Sequence, residues 1–474
     1  MKPSVPAPEN GSSPLQGPGL SRRAMLELSA SGLVASWFLP SPAAAFERTS
    51  QATSATIKGT AKNAIFIWLP GAPSQIDTWD LKEGAWTPAN FAPTSYGGGL
   101  RFPQGLLPKL AEKLPDLAIV RSYLSWAAVH GLAQTWAQIV RNPTGATGKI
   151  APHIGAVAAL EADSRRDPAK DVLPGFIALN TGGIKGSGYL PARFSPFSVS
   201  PSTNGLPSLT HPDASYGGVA GSRFAARWGD LESLDAALRN GEPLGRDAAD
   251  FASFYKQAKT LMDSSDVNKL FTYTAAEGAP YGGTGFGNAC VIAKKLLAGR
   301  RGARFVQVSV GGWDMHANIY QATGNSLYTQ ARNTLDPALA QLISDLKATP
   351  GEAAGQTLFD ETIILVAGEF GRTVGNLNGQ GGRDHFLRTS VVLGGGGIKG
   401  GQVIGSTDAT GAKLGEAGWS ENRDIRPEDI ACTLYSALGI DYTTVRHDDP
   451  LGRGFEYVPY AKDGVYKPVA NLFR

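Results

Sequence analysis

Glu361-Thr-Ile-Ile-Leu-Val-Ala-Gly-Glu-Phe-Gly-Arg-Thr373, followed after a glycine-rich excursion by Gly381-Gly-Arg-Asp-His-Phe386, is the stretch that decides the fold. Thr362 to Val366 is short, apolar and β-branched, as a strand buried on both faces must be. It breaks into small residues and then a carboxylate, Glu369. Open α/β sheets bind ligands just beyond the carboxyl ends of their strands, so Glu369 stands where chemistry usually happens. Arg372, Arg383, Asp384 and His385 follow before the next apolar run, Ser390 to Leu393. Any one of these fits a solvated salt-bridged loop; the set together predicts a site.

Outward from this stretch, strand and helix periods alternate. Asn63 to Leu69 predicts the first buried strand, Leu117 to Arg121 a second, and Arg304 to Val310 alternates cleanly as another. Helical spacing runs over His130 to Val140, Pro152 to Ala162, Arg246 to Met262 and Ala289 to Leu297. Tyr328 to Leu346 predicts one long amphipathic helix with Leu335, Leu339, Leu342 and Leu346 on a single stripe. Arg426-Pro427-Glu428-Asp429 caps a helix that Gly439 stops. Such alternation predicts an α/β fold, a mainly parallel sheet with helices on both faces. Residues 163–245 are rich in Pro, Gly and Ser, with a strand signal only at Phe176 to Leu179. They predict a loop-rich insertion or cap within a single domain spanning 46–474.

The chain has 474 residues, 42% hydrophobic and 18% charged, so a large core is within reach. A net charge of +3 without a basic stripe argues against nucleic acid as a partner. Residues 1–45 have the form of an address. Ser21-Arg22-Arg23-Ala24-Met25-Leu26 fits the twin-arginine export pattern, a modest apolar segment follows, and Ala43-Ala44-Ala45 suits signal peptidase. The apolar segment is shorter than the ~20 residues a membrane span needs. The expectation is a periplasmic or secreted protein with no membrane span after cleavage. Twin-arginine export carries folded proteins, which suits one that loads a metal first. Cys290 and Cys432 lie in apolar helical contexts, leaving one disulfide or two buried thiols open.

Three strand ends carry chemistry: Gly71 to Asp80, Gly311 to His316, and Gly368 to Arg372. Asp314 and His316, two apart, fall on the same side of an extended segment. With Glu369, Asp384 and His385 they form an oxygen-plus-imidazole set suited to a divalent ion such as zinc, manganese or calcium. Arg121, Arg372 and Arg383 are natural partners for an oxyanion, since guanidinium matches phosphate or sulfate bidentately. The Gly394 to Gly401 run lacks the G-K-[ST] ending of a phosphate loop and predicts a glycine turn.

Five ordered motifs, G-A-P-S-Q-I-D-T-W-D from Gly71, G-G-W-D-M-H from Gly311, G-E-F-G-R-T from Gly368, G-R-D-H-F from Gly382 and G-G-G-I-K-G-G-Q-V-I-G from Gly395, carry a resemblance. Over residues 61 to 460 the chain resembles the exported bacterial family catalogued as domain of unknown function 1501. That family looks like a divergent branch of the alkaline phosphatase/sulfatase superfamily. The superfamily resemblance implies metal ligands at Asp314 and His316, at Glu369 in place of an aspartate, and at His385. It implies that Asp77 reaches the site from the first strand, although the usual carboxylates are missing at Gly71-Ala72. Phe370 stands where the superfamily has a histidine. His130 occupies the nucleophile's position at the start of a helix, as base or nucleophile, with Ser122 and Ser125 upstream.

Two functions follow as expectations. One is an exported metal-dependent hydrolase of a phosphate or sulfate ester, acting on a small anionic substrate. The other is a binding protein, at the envelope or on polysaccharide, that keeps the fold and anion pocket without turnover.

Overall fold

Eight strands make the central sheet: β1 (Asn63–Trp68), β2 (Leu117–Leu124), β3 (Phe176–Leu179), β4 (Phe197–Val199), β5 (Phe305–Ser309), β6 (Thr362–Ala367), β7 (Arg388–Gly394) and β8 (Gln402–Ile404). The computed structural model describes residues 55–206, 219–239 and 245–474, all within one compact unit. The twin-arginine segment, 1–45, lies outside the described residues.

Strand order is β8-β2-β7-β6-β1-β5-β3-β4. β1 sits between β5 and β6 and is parallel to both, with Ile65 opposite Val306 on one side and Ile364 on the other. All six residues of β1 and of β6 are buried, which is why both read as unbroken apolar runs. β7 is antiparallel to β6 and β2, while the remaining pairings are parallel. The fold is thus α/β with a mainly parallel sheet.

Alternate side chains divide the core into two layers. Ile65, Ile67, Ile364 and Val366 face one side; Ala64, Phe66, Ile363 and Leu365 face the other. Seven helices concern the argument: α1 (His130–Ile139), α2 (Ile154–Asp163), α3 (Val219–Arg239), α4 (Gly245–Asp263), α5 (Gly285–Ala298), α6 (Asp336–Ala348) and α7 (Pro427–Ala437). Helices α5 and α6 supply the first layer and α2 and α7 the second. Leu335, Leu339, Leu342 and Leu346 are all buried, as their stripe predicts.

Two local expectations need correction. The predicted single helix from Tyr328 is π-helical from Tyr328 to Leu335 and becomes α only at Asp336. Pro337 explains the change: it lacks an N–H and its ring crowds the carbonyl four residues earlier, so the preceding turns widen. Residues 163–245 supply a second strand, β4, as well as β3, and both belong to the main sheet. They also contain the 21-residue helix α3. A three-residue strand between prolines is too short to show a period, so β4 left no signal.

Topology brings the site together. β1, β5, β6 and, through the antiparallel β7, also β2 all point their carboxyl ends at one edge. β7 runs the other way, so the residues before it, including His385, arrive at the same edge. Close backbone approach completes the convergence. Gly71 has φ +107°, and a Cβ there would lie 2.5 Å from the Asp314 amide nitrogen. A Cβ on Gly382 would lie 2.0 Å from the His316 carbonyl carbon. Only glycine permits either contact.

Candidate metal centre

His130 opens α1, six residues beyond the end of β2. Asp314 and His316 follow β5, and His385 stands three residues before β7. One ligand atom from each of these four residues lies within 4.8 Å of the others. His316 Nε2 is 3.0 Å from His385 Nε2 and 3.0 Å from Asp314 Oδ1. Asp314 Oδ1 is 3.3 Å from His130 Nε2 and 3.7 Å from His385 Nε2.

Partners at the far side of each ring assign its proton. His130 Nδ1 lies 2.6 Å from Glu369 Oε1, His316 Nδ1 lies 2.8 Å from Asp384 Oδ1, and His385 Nδ1 lies 2.8 Å from the Ala128 carbonyl. Each of those oxygens can only accept, so each neutral ring carries its proton on Nδ1 and its lone pair on Nε2. Three imidazole lone pairs and a carboxylate oxygen therefore converge on one point. His130 Nε2 is buried with no hydrogen-bond partner, despite its 3.3 Å separation from Asp314 Oδ1. That separation sets lone pair against lone pair, which a cation relieves.

The donor set fits a divalent ion. Ligand bonds of ~2.0–2.1 Å in a tetrahedron place ligand atoms ~3.3 Å apart, against the 3.0–3.7 Å of the four separations above and an upper bound of 4.8 Å for the set. Carboxylate or carbonyl oxygens behind metal-bound imidazoles are the usual means of fixing their orientation. Burial lowers the His385 imidazole's pKa, with Arg372 and the neighbouring rings adding to the effect against the Ala128 hydrogen bond, so it is neutral and ready to ligate. Burial acts to raise the Asp314 carboxyl, but the Arg372 hydrogen bond and charge, with His130 and His316, outweigh it and hold it low. The His316 hydrogen bond is the main cause keeping Asp384 ionised.

The other sequence-predicted site residues stand elsewhere. Glu369 is buried and accepts from His130, from the Gly71 amide at 2.9 Å and from Gln134 Nε2 at 3.2 Å, so it backs a ring and lies outside the four-atom cluster. Asp77 is a correction of the same kind. Its carboxylate is buried against Arg383 (2.7 Å), Ser74 (2.6 Å) and Tyr320 (2.7 Å), because the Gln75–Asp77 turn directs it under the loop. Asp384 likewise holds His316 from outside the cluster.

Residues 61–459 match the family described as protein of unknown function DUF1501. The chain belongs to this family. No relative matches among curated proteins. Solved structures similar to this DUF1501 protein include Ps i-CgsB, at TM-score 0.41 and 10% identity over 86% of this chain and 77% of that one. The lipoteichoic acid synthase LtaP from Listeria monocytogenes aligns at TM-score 0.37 and 12% identity over 86% and 79% of the two chains. A protein of the alkaline phosphatase superfamily from Vibrio parahaemolyticus aligns at TM-score 0.35 and 13% identity over 82% and 68%.

In this DUF1501 chain the three arginines have partners within the protein. Arg372 donates through Nε to the Ala72 carbonyl, through Nη1 to His316 Nε2 and the Arg383 carbonyl, and through Nη2 to the Gly71 carbonyl and Asp314. Four of its five N–H groups thus have oxygen acceptors within the protein, while the fifth faces the His316 Nε2 lone pair that a cation would take. Arg383 engages its five on Asp77 (twice), Tyr320 and the Thr373 and Gly375 carbonyls. Arg121 is held by the Gly405 and Gly99 carbonyls and Asp80. The three guanidiniums expected to meet an oxyanion here tie loop carbonyls together. Ser122 and Ser125 donate to the Ala417 and Ala127 carbonyls. Phe370 is fully buried, its ring centroid 4.9 Å from His130 and 4.6 Å from His385, so it packs against two of the rings. His130, expected as base or nucleophile, stands in the four-residue cluster that could hold a metal ion. Gln134, one turn along α1, carried no sequence signal beyond its i+4 spacing.

Proposed function

We propose that this protein is an exported, divalent-metal-dependent hydrolase of a phosphate or sulfate ester. One observation carries the reading: the Nε2 atoms of His130, His316 and His385 meet Asp314 Oδ1 while every Nδ1 is already held. A divalent cation held there supplies Lewis-acid chemistry to an ester oxygen and to water. The chain's residues do the rest. Glu369, Asp384 and the Ala128 carbonyl fix three tautomers, and Arg372 aims Asp314. Side chains of Asp314 and His316 are 47% and 40% exposed, so a substrate reaches the centre from solvent. Without a free serine at the cluster, water is the attacking group in this reading.

A second reading, a binding protein without turnover, is favoured by the full engagement of Arg383 and of four of the five Arg372 N–H groups on oxygen acceptors. Zinc- or manganese-loaded mature protein should release nitrophenol from nitrophenyl phosphate or sulfate esters, and His385→Ala should not. Metal bound at one per chain with no release from any ester would favour the binding protein.

Export through the paired Arg22-Arg23 is part of the proposal. Arg22→Lys with Arg23→Lys should leave the precursor in the cytoplasm on fractionation. Unchanged periplasmic appearance of that double variant would sink this part.

A further inference from the structure

We infer that Arg372 is a hydrogen-bond donor that a cation sets free, and that its released N–H takes an oxygen of an anion bound on the same ion. Cation and oxyanion therefore bind cooperatively, each tighter in the presence of the other. The inference rests on the reading of the centre as a metal site that meets an ester, and names the side chain that receives the ester's second oxygen.

The conflict lies at one atom. His316 Nδ1 is committed to Asp384 at 2.8 Å, so the neutral ring has a single lone pair, on Nε2. Arg372 Nη1 stands 3.2 Å from that Nε2 and donates to it. The same lone pair is the one His316 offers to the four-residue cluster. It serves the guanidinium or a cation, not both. Loading the centre therefore leaves one N–H of Arg372 without its acceptor.

The guanidinium is not free to leave and find another. Its Nε donates to the Ala72 carbonyl at 2.9 Å, its Nη1 to the Arg383 carbonyl at 3.1 Å, and its Nη2 to the Gly71 carbonyl and to Asp314. Gln75 pins the Arg372 backbone as well, accepting from its amide at 2.7 Å and donating to its carbonyl at 2.9 Å. The side chain is fully buried. A charged N–H left without a partner in such a place costs more than a neutral one.

Its new acceptor has to arrive with the ion. Water on a divalent cation becomes a better donor and a poorer acceptor, since the ion draws on its lone pairs. An oxyanion differs: one oxygen binds the ion while a second keeps its charge and accepts from the guanidinium. His316 and Asp314, the two cluster members that Arg372 touches, have side chains 40% and 47% exposed, so an anion reaches them from solvent. With one N–H released, the contact is a single bond and not the bidentate clamp a free guanidinium forms. A phosphate ester, a sulfate ester or a carboxylate satisfies it. Thiocyanate, whose far atom is a weakly accepting sulfur, does not.

Formate and thiocyanate carry the same charge and differ in the second oxygen. Zinc nitrilotriacetate, a chelate with open positions and no N–H, gives the preference that zinc alone has between them. Calorimetric titration of the zinc-loaded mature chain should show formate favoured about tenfold beyond that reference. By reciprocity, zinc should bind tighter in formate than in thiocyanate at equal concentration, read by chelator competition. Arg372→Lys should bring the formate preference down to the chelate's and leave thiocyanate affinity within about twofold. Methyl sulfate, dimethyl phosphate and acetate, monoanions all, show in the same assay which head group fits best. A wild-type formate preference equal to the chelate's overturns the inference whether or not Arg372→Lys folds, and leaves the ester reading, which needs only the ion. Full preference in a folded Arg372→Lys overturns it too. If no oxyanion binds while one zinc is held, both the inference and the ester reading fall. The predicted preference with no ester turned over removes the hydrolase and leaves the inference standing.

Discussion

Arg372 Nη2 lies 2.5 Å from Asp314 Oδ1, and Arg372 is fully buried while Asp314 is half exposed. The arginine reaches the aspartate from beneath the site, across the carboxyl ends of β5 and β6. It holds the Gly71, Ala72 and Arg383 carbonyls in the same grip. Three loops are thereby joined by one side chain.

Arg372→Ala should therefore lower stability by ~3–5 kcal/mol, mostly from the buried carbonyls left without donors and less from the solvent-screened aspartate. Arg372→Lys, with three donors on a point charge, should recover only part of this. Urea unfolding measures it. A change within ~0.5 kcal/mol for Arg372→Ala would contradict the framework role.

Glu369→Gln probes the carboxylate behind His130. Its Oε1 accepts from three donors while its Oε2 is buried without a partner. Removing the charge should weaken metal binding ~10–100-fold, the usual effect of altering the group behind a ligating imidazole. Competition against a chromophoric chelator reads this directly. Unchanged affinity would mean that His130 is not a ligand.

His153 lies elsewhere, fully buried at the start of α2, where its Nδ1 accepts from the Gly155 amide at 2.8 Å and its ring stacks on Phe176. Burial pushes its pKa down from 6.5 to about 3, against a smaller opposing influence of the Gln307 side chain. Between those values the unfolded chain binds the proton and the folded chain does not, so stability rises with pH and is lost as pH falls below 6.5. From pH 7.5 to 5.0 the wild type should lose ~2 kcal/mol more than His153→Asn, which keeps an N-cap acceptor. Parallel pH responses in urea would refute this.

Cys290 and Cys432 are free and buried, and they belong to core layers on opposite faces of the sheet. A disulfide needs Cα atoms within ~7 Å, which the intervening sheet forbids. Burial raises both thiols, Cys290 by itself and Cys432 with help from Asp429 and Glu428. Thiol titration should find neither reactive in the native protein and both after denaturation. One mole of disulfide on non-reducing mass analysis would contradict the sheet topology.

The strands at Asn63, Thr362 and Arg304 were legible because burial on both faces, or alternation, leaves a local pattern. Asp314, His316 and His385 were legible because each follows or precedes such a strand within a few residues. Partner choice was not legible. Nothing local says that Asp77 turns under the loop to Arg383, or that Glu369 stops at His130 Nδ1. Those outcomes depend on Gly71 and Gly382 admitting backbone contacts from segments hundreds or tens of residues away. The arginines looked like anion clamps for the same reason: composition shows five donors but not the acceptors that take them.

Metal stoichiometry tests the central claim most directly. Plasma mass spectrometry on zinc-supplemented, dialysed protein should give one metal per wild-type chain and a large loss in each of His130→Ala, His316→Ala and His385→Ala, since a divalent ion held by so few groups depends on every one. Equal metal in wild type and His316→Ala, or none in the wild type after supplementation, would contradict the convergence of these rings on a cation.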